Sequence, residues 1–172
     1  DGRTVIHINY KAAEVDQVYF PQLEVIGDIA GSVERLGNRL RGKHPSDPAA
    51  YANVHEDIAA HIRQGSDDGR FPMVPQRIVA DVRAVMGRDD IVALDNGIYK
   101  IWFARNYIAH EPNTILLDNA LATMGAGLPS AMMAAMLSPE RRVLAVCGDG
   151  GFMMNSQEVE TAVRLGLNLV VL

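Results

Sequence analysis

Arg142–Gly151 (RVLAVCGDGG) sets Asp149 between glycines, directly after an apolar run. A carboxylate there is a hard oxygen ligand suited to Mg²⁺ or Ca²⁺. Gly148, Gly150 and Gly151 let backbone N–H groups approach an anion with no Cβ in the way. A helix after this turn would point its positive N-terminus at the same anion. Together these parts would hold a metal–diphosphate unit, with Asp149 as the metal ligand. Local spacing alone fits a plain strand-to-helix turn equally well. Two other segments deserve to be set beside it: Leu94–Trp102 (LDNGIYKIW) and Leu121–Pro129 (LATMGAGLP). Taken alone, Met124 in the second reads as an ordinary core methionine.

These segments must sit at the ends of regular elements. Residues 4–8 (TVIHI) and Leu23–Ile26 read as strands, being β-branched and apolar. Ile29, Val33, Leu36 and Leu40 share a helical face. Gly42–Pro48 (GKHPSDP) has the composition of a linker. Ala49–Arg63 is expected to be helical, and Gly65–Gly69 a polar turn. Pro75–Met86 starts with proline in its first turn, as helices often do. The spacing then predicts a strand at Ile91–Leu94, a helix at Tyr99–Tyr107, a strand at Thr114–Leu117 and a helix at Gly125–Leu137. Further on it predicts a strand at Val143–Cys147, a helix at Ser156–Leu165 and a strand at Asn168–Leu172. Strands alternating with helices give a parallel α/β sheet, with ligands at the carboxyl ends of the strands.

The bulk composition limits the function classes. The 172 residues are 48% hydrophobic and 22% charged, with a net charge of −5. A mild acidic excess argues against a general nucleic-acid binder, which needs clustered Lys and Arg. One cysteine, Cys147, rules out an intrachain disulfide and a cysteine metal cluster. Its place before the turn suits a buried small hydrophobe. The apolar runs are too short to span a bilayer, and no signal peptide is visible, so a cytoplasmic setting is expected. The chain opens and closes within apolar strands, which reads as a cut from a longer polypeptide. His7 reads as a core histidine, and His55 and His61 fall on different faces of their helix. Glu158 and Glu160 read as solvated helix residues, and Met132, Met133 and Met136 as core packing.

In combination the segments resemble thiamine-diphosphate-dependent enzymes, with PQRIVADV, TMGAGLPSAM, GDGGF and QEVETAVRL most similar to those of the acetolactate synthase type. The resemblance implies a three-layer α/β/α parallel sheet, truncated at both ends. Residues 1–41 would be the tail of a central domain, 42–70 a linker with a helix, and 71–172 the first half of the diphosphate-binding domain. It further implies that Asp149 ligates Mg²⁺ and that Gly148, Gly150, Gly151 and Gly97 face the diphosphate. Many acetolactate synthases have Gln-His where this chain has Ile98-Tyr99, so contact at those two residues would come mainly from backbone. Met124 would prop the bent form of the cofactor, and the Ala122 carbonyl would face its aminopyrimidine. Positioning of that kind is worth several kcal/mol in general. The family's second metal ligands, an Asn-Asn pair, fall beyond Leu172, and its catalytic glutamate belongs to another domain. No catalytic residue is therefore assigned here, and the chain alone is expected to be inactive.

The implied reaction is decarboxylation of pyruvate and condensation with a second pyruvate to 2-acetolactate, in a homodimer or homotetramer. Several members also bind FAD, through a strand that often carries two aspartates. This chain has Asn9 and Lys11 there, although Gly27-Asp28 matches, so it is closer to the flavin-free, catabolic type. Three alternatives stay open. One is another 2-keto-acid decarboxylase or carboligase. A second is a non-catalytic nucleotide- or anion-binding α/β domain, for which Gly125-Ala126-Gly127 starts a G-x-G-x-x-G string that Ser130 breaks. The third is a degenerate homologue acting only in assembly.

Overall fold

A computed structural model describes residues 4–13, 20–43 and 48–172. Expectations for Asp1-Gly2-Arg3 and for residues 44–47 of the linker lie outside the described residues. The chain divides into two units, 1–52 and 53–172. A helix over Pro48–Arg63 crosses that division, one residue longer than the sequence predicts.

In the first unit, strands β1 (Ile6–Asn9) and β2 (Leu23–Ile26) run parallel, with Ile6 opposite Leu23 and Asn9 opposite Ile26. Helix α1 (Ile29–Leu40) follows. Asp28 caps it: its Oδ2 accepts the Gly31 amide at 2.6 Å, and its Oδ1 accepts the Tyr10 hydroxyl at 3.0 Å. Such a cap satisfies an amide that has no intrahelical partner.

Counting the Pro48–Arg63 helix as α2, the second unit continues with α3 (Pro75–Val85), β3 (Ile91–Leu94), α4 (Ile98–Asn106) and β4 (Ile115–Leu117). It then runs through α5 (Gly127–Leu137), β5 (Val143–Val146), α6 (Asp149–Asn155), α7 (Glu158–Arg164) and β6 (Leu169–Val171). The strands form one parallel sheet in the order β4-β3-β5-β6. Side chains alternate faces along a strand, and here the alternation separates two cores. Val92, Leu94, Leu144 and Val146 pack with Val79 and Val82 of α3 and with Phe103 of α4. Ile91, Ala93, Val143 and Ala145 face Ala131, Ala134 and Ala135 of α5. The fold is α/β, with helices on both faces of a parallel sheet. Strands β3 and β5 are buried along their whole length, which explains their uninterrupted apolar sequence.

One predicted element differs in kind. The expected helix at Ser156–Leu165 is α7, and the preceding residues 149–155 form a separate helix, α6. Two glycines in the first turn lower helix propensity. Tertiary contact overrides it, because Gly151 is buried against Asp95, where a Cβ would lie 2.2 Å from Oδ2. Helix α5 starts at Gly127, not Gly125, because Gly125 has φ +85°, outside the right-handed helical region.

At the amino ends of the central strands, buried Asp90 joins β3 to β5. It accepts the amides of Gly87 (2.5 Å) and Arg142 (3.1 Å) and pairs with the Arg142 guanidinium at 2.7 Å. Burial pushes its carboxyl up, but those two amides and the guanidinium more than offset this and hold it below the usual aspartate range. A folded-state value below the unfolded one stabilises the fold above the ordinary aspartate range. That contribution is lost as pH falls through the lowered value. An Asp90→Asn protein is expected to be ~1–2 kcal/mol less stable at neutral pH, a modest figure because Arg142 is largely exposed. Urea unfolding should show the gap to wild type closing as pH falls through the lowered aspartate value. A gap independent of pH would refute this role.

Candidate functional site

Three segments converge at the carboxyl ends of the sheet: residues 95–99 after β3, 118–126 after β4, and 147–151 after β5. They hold all nine residues singled out from the sequence. Gly97 is exposed and extended, and opens α4. Ile98 is 74% exposed, so its side chain adds nothing to the convergence. The Tyr99 ring does contribute. A Cβ on Gly97 would lie 2.4 Å from Tyr99 Cε1, and one on Gly148 would lie 2.9 Å from the same atom. The ring therefore bridges the ends of β3 and β5. Its hydroxyl is buried beside the Gly148 amide without meeting hydrogen-bond geometry. Burial pushes this phenol above its ordinary range; the Gly148 amide opposes the shift, and the Asp95 carboxylate adds to it.

Met124 reaches across to the third segment. A Cβ on Gly150 would meet only the Met124 Cε, at 3.4 Å. Ala122 has a left-handed φ of +50°, uncommon for a residue with a side chain. Asp118 supports this strained loop. Its Oδ1 accepts the Ala120 amide at 3.1 Å and its Oδ2 the Thr123 amide at 3.2 Å. These amides, Thr123 foremost, hold the Asp118 carboxyl below its usual range.

Asp149 is the first residue of α6 and is exposed. Its Oδ1 accepts the Gly150 amide at 2.8 Å, leaving Oδ2 without a partner among the described residues. Next to it lies a cavity of about 360 Å³ lined by Cys147, Gly148, Asp149, Phe152, Val171 and Leu172. Cys147 is half-buried, and burial together with the Asp95 carboxylate pushes its thiol up to about 11. It is thus a neutral wall of the cavity at physiological pH. Among the described residues no cluster of three or more His, Cys, Asp or Glu side chains is placed to hold a metal. A cation at Asp149 would draw its other ligands from outside such a cluster. Mg²⁺ takes one or two carboxylates plus phosphate oxygens and water, and Asp149 offers one exposed carboxylate.

The sequence reading missed the residues that bind the segments together. Asp95 is fully buried, and its Oδ1 accepts both the Asn96 amide (2.7 Å) and the Gly125 amide (2.9 Å). Asn96 Nδ2 donates to the Thr123 carbonyl at 2.7 Å, and its Oδ1 accepts Lys100 Nζ at 2.5 Å. Lys100 also donates to the Asp118 carbonyl. Asn155 Nδ2 donates to the Gly125 carbonyl at 2.6 Å. The available signal was an aspartate and an asparagine directly after the all-apolar run IVAL, since buried polar groups need partners.

Residues 95–172 match the family described as "Thiamine pyrophosphate enzyme, C-terminal TPP binding domain". The chain is 34% identical over 170 residues to the catabolic acetolactate synthase of Raoultella terrigena, a match covering 97% of this chain and 30% of that protein. It is 31% identical over 176 residues to an acetolactate synthase of Bacillus subtilis (strain 168), covering 98% of the chain and 30% of that protein. A "Putative thiamine pyrophosphate-containing protein YdaP" of the same organism is 36% identical over 175 residues, covering 99% of the chain and again 30% of the relative. The chain thus spans about a third or less of the length of these relatives. No helix among the described residues is long and apolar enough to cross a membrane. Residues 95–172 thus belong with the C-terminal cofactor-binding domain of thiamine pyrophosphate enzymes, and the chain as a whole is similar to a section of proteins of the acetolactate synthase type.

Proposed function

We propose that this chain supplies the metal-and-diphosphate half of a thiamine diphosphate site in an acetolactate synthase. The observation that carries this reading is the meeting of three strand-end segments through closely packed glycine backbone, with an Asp149 carboxylate oxygen that has no partner among the described residues beside a cavity. Asp149 ligates Mg²⁺, whose charge neutralises the diphosphate. Gly97, Gly148, Gly150 and Gly151 present backbone to the diphosphate, and Ile98 and Tyr99 add backbone at the start of α4. Met124 stands against the heterocyclic part of the cofactor, and the Ala122 carbonyl faces its aminopyrimidine. When bound, the cofactor supplies the electron sink for decarboxylating pyruvate and joining the remaining unit to a second pyruvate. The chain's own residues hold it, orient it and wall it in.

The same reading assigns residues 1–41 to a central domain, 42–70 to a linker and 71–172 to the first half of the cofactor domain. It implies a homodimer or homotetramer in the cytoplasm, with the catalytic glutamate supplied from outside this chain. The positions of Asn9 and Lys11 favour the flavin-free type. The test uses the full-length protein with pyruvate, with and without thiamine diphosphate and Mg²⁺, scoring 2-acetolactate and CO₂. The expected result is acetolactate that depends on both additions. CO₂ without acetolactate would move the protein to the decarboxylases, and absence of cofactor binding would overturn the reading.

A further inference from the structure

Met124 is 47% exposed, so packing alone does not fix its place. Its neighbours in the chain are fixed instead. On one side, the Thr123 carbonyl accepts Asn96 Nδ2 and the Thr123 amide donates to Asp118. On the other side, both polar groups of Gly125 are held by side chains from elsewhere in the fold, Asp95 after β3 and Asn155 at the end of α6. Its amide donates to Asp95 Oδ1 and Oδ2 at 2.9 and 3.1 Å, and its carbonyl accepts Asn155 Nδ2 at 2.6 Å. Any residue with a Cβ at 125 would lie 2.8 Å from that same Nδ2, in a backbone conformation of φ +85°. Asn155 ends α6, the helix that Asp149 begins. One seven-residue helix therefore carries the proposed metal ligand at one end and a grip on the Met124 loop at the other.

We propose that Asp95 and Asn155 are positioning residues, which hold the two polar groups of Gly125 and so set Met124 against Gly150. This rests on the function proposed above and adds to it a division of labour within the site. Residues 148–151 face the diphosphate, whereas the Asp95–Gly125–Asn155 clamp governs the grip on the heterocycle. Neither clamp side chain needs to touch the ligand.

The division can be measured with two ligands. Wild-type full-length protein and an Asn155→Ala variant are titrated by calorimetry with thiamine diphosphate and with inorganic diphosphate, both in Mg²⁺. Asn155→Ala is expected to raise the Kd for thiamine diphosphate about tenfold, the scale of one lost part-buried hydrogen bond. The Kd for inorganic diphosphate is expected to stay within about twofold, because that ligand lacks the part Met124 meets. In a Met124→Ala background, Asn155→Ala should add less than about twofold, since residues acting as one unit are not additive. Asp95→Asn keeps the side-chain volume and, as a second variant, should show the same split. A general loosening would raise both constants together, and that result, or no change in either, overturns the proposal. Wild-type protein that binds neither ligand overturns the underlying function as well. Wild-type binding with unaffected variants overturns the clamp alone.

Discussion

A Gly151→Ala protein is expected to lose about 3 kcal/mol of stability, on the scale of an overpacked core site. The added methyl would lie 2.2 Å from Asp95 Oδ2 and 2.9 Å from its Cγ. Asp95 has nowhere to go. Its oxygens hold the Asn96 and Gly125 amides, its own amide donates to the Val146 carbonyl at 2.9 Å, and Gly127 packs against its Cβ. Relief would require breaking the β3–β5 pairing or moving α6. Gly150 is the control. A Cβ there meets only the far end of Met124, at 3.4 Å, and alanine improves helix propensity. Gly150→Ala should therefore stay within about 0.5 kcal/mol of wild type. Urea unfolding of both variants decides the matter, and equal stabilities would mean that α6 is not wedged against Asp95.

An Asp149→Asn substitution should do the reverse, sparing the fold and damaging the site. Asp149 is exposed, and its one hydrogen bond among the described residues is to the next residue's amide, which an asparagine oxygen also accepts. Stability should shift by less than about 0.5 kcal/mol. The amide has lost the charge that a hard cation requires, however. The Kd for thiamine diphosphate in Mg²⁺ should rise about a hundredfold, the scale of losing one strong charged contact. Titration at several Mg²⁺ concentrations is the check. Unchanged affinity would remove Asp149 from the metal site.

The sequence made the framework legible because the central strands are buried on both faces. IVAL and VLAV, buried at every position, cannot be mistaken for amphipathic surface. Asp149 was singled out because an acid between glycines at a strand end leaves a local signal, whereas Gly97 and Met124 were singled out through the family resemblance. The clamp left none that spacing could reveal. Asp95 meets Gly125 across 30 residues and Asn155 meets Gly125 across another 30, so their partnership exists only in three dimensions. Helix α6 was hidden for a related reason. Two glycines read locally as a turn, whereas the need for one of them comes from a carboxylate more than fifty residues earlier. Strand ends moved by a residue or two, as at β1, which runs from Ile6 to Asn9 where residues 4–8 were expected.

The Tyr99 ring, wedged against Gly97 and Gly148 at once, also constrains how this region can change over time. Each glycine is intolerant of a larger neighbour only while the ring is there, because the atom a new methyl would meet is in both cases Tyr99 Cε1. Loss of the ring would free both positions together, and a side chain gained at either would then bar the tyrosine's return. Substitutions at 97, 99 and 148 are therefore coupled in order, and a path that changes position 99 first can reach sequences that the reverse order cannot.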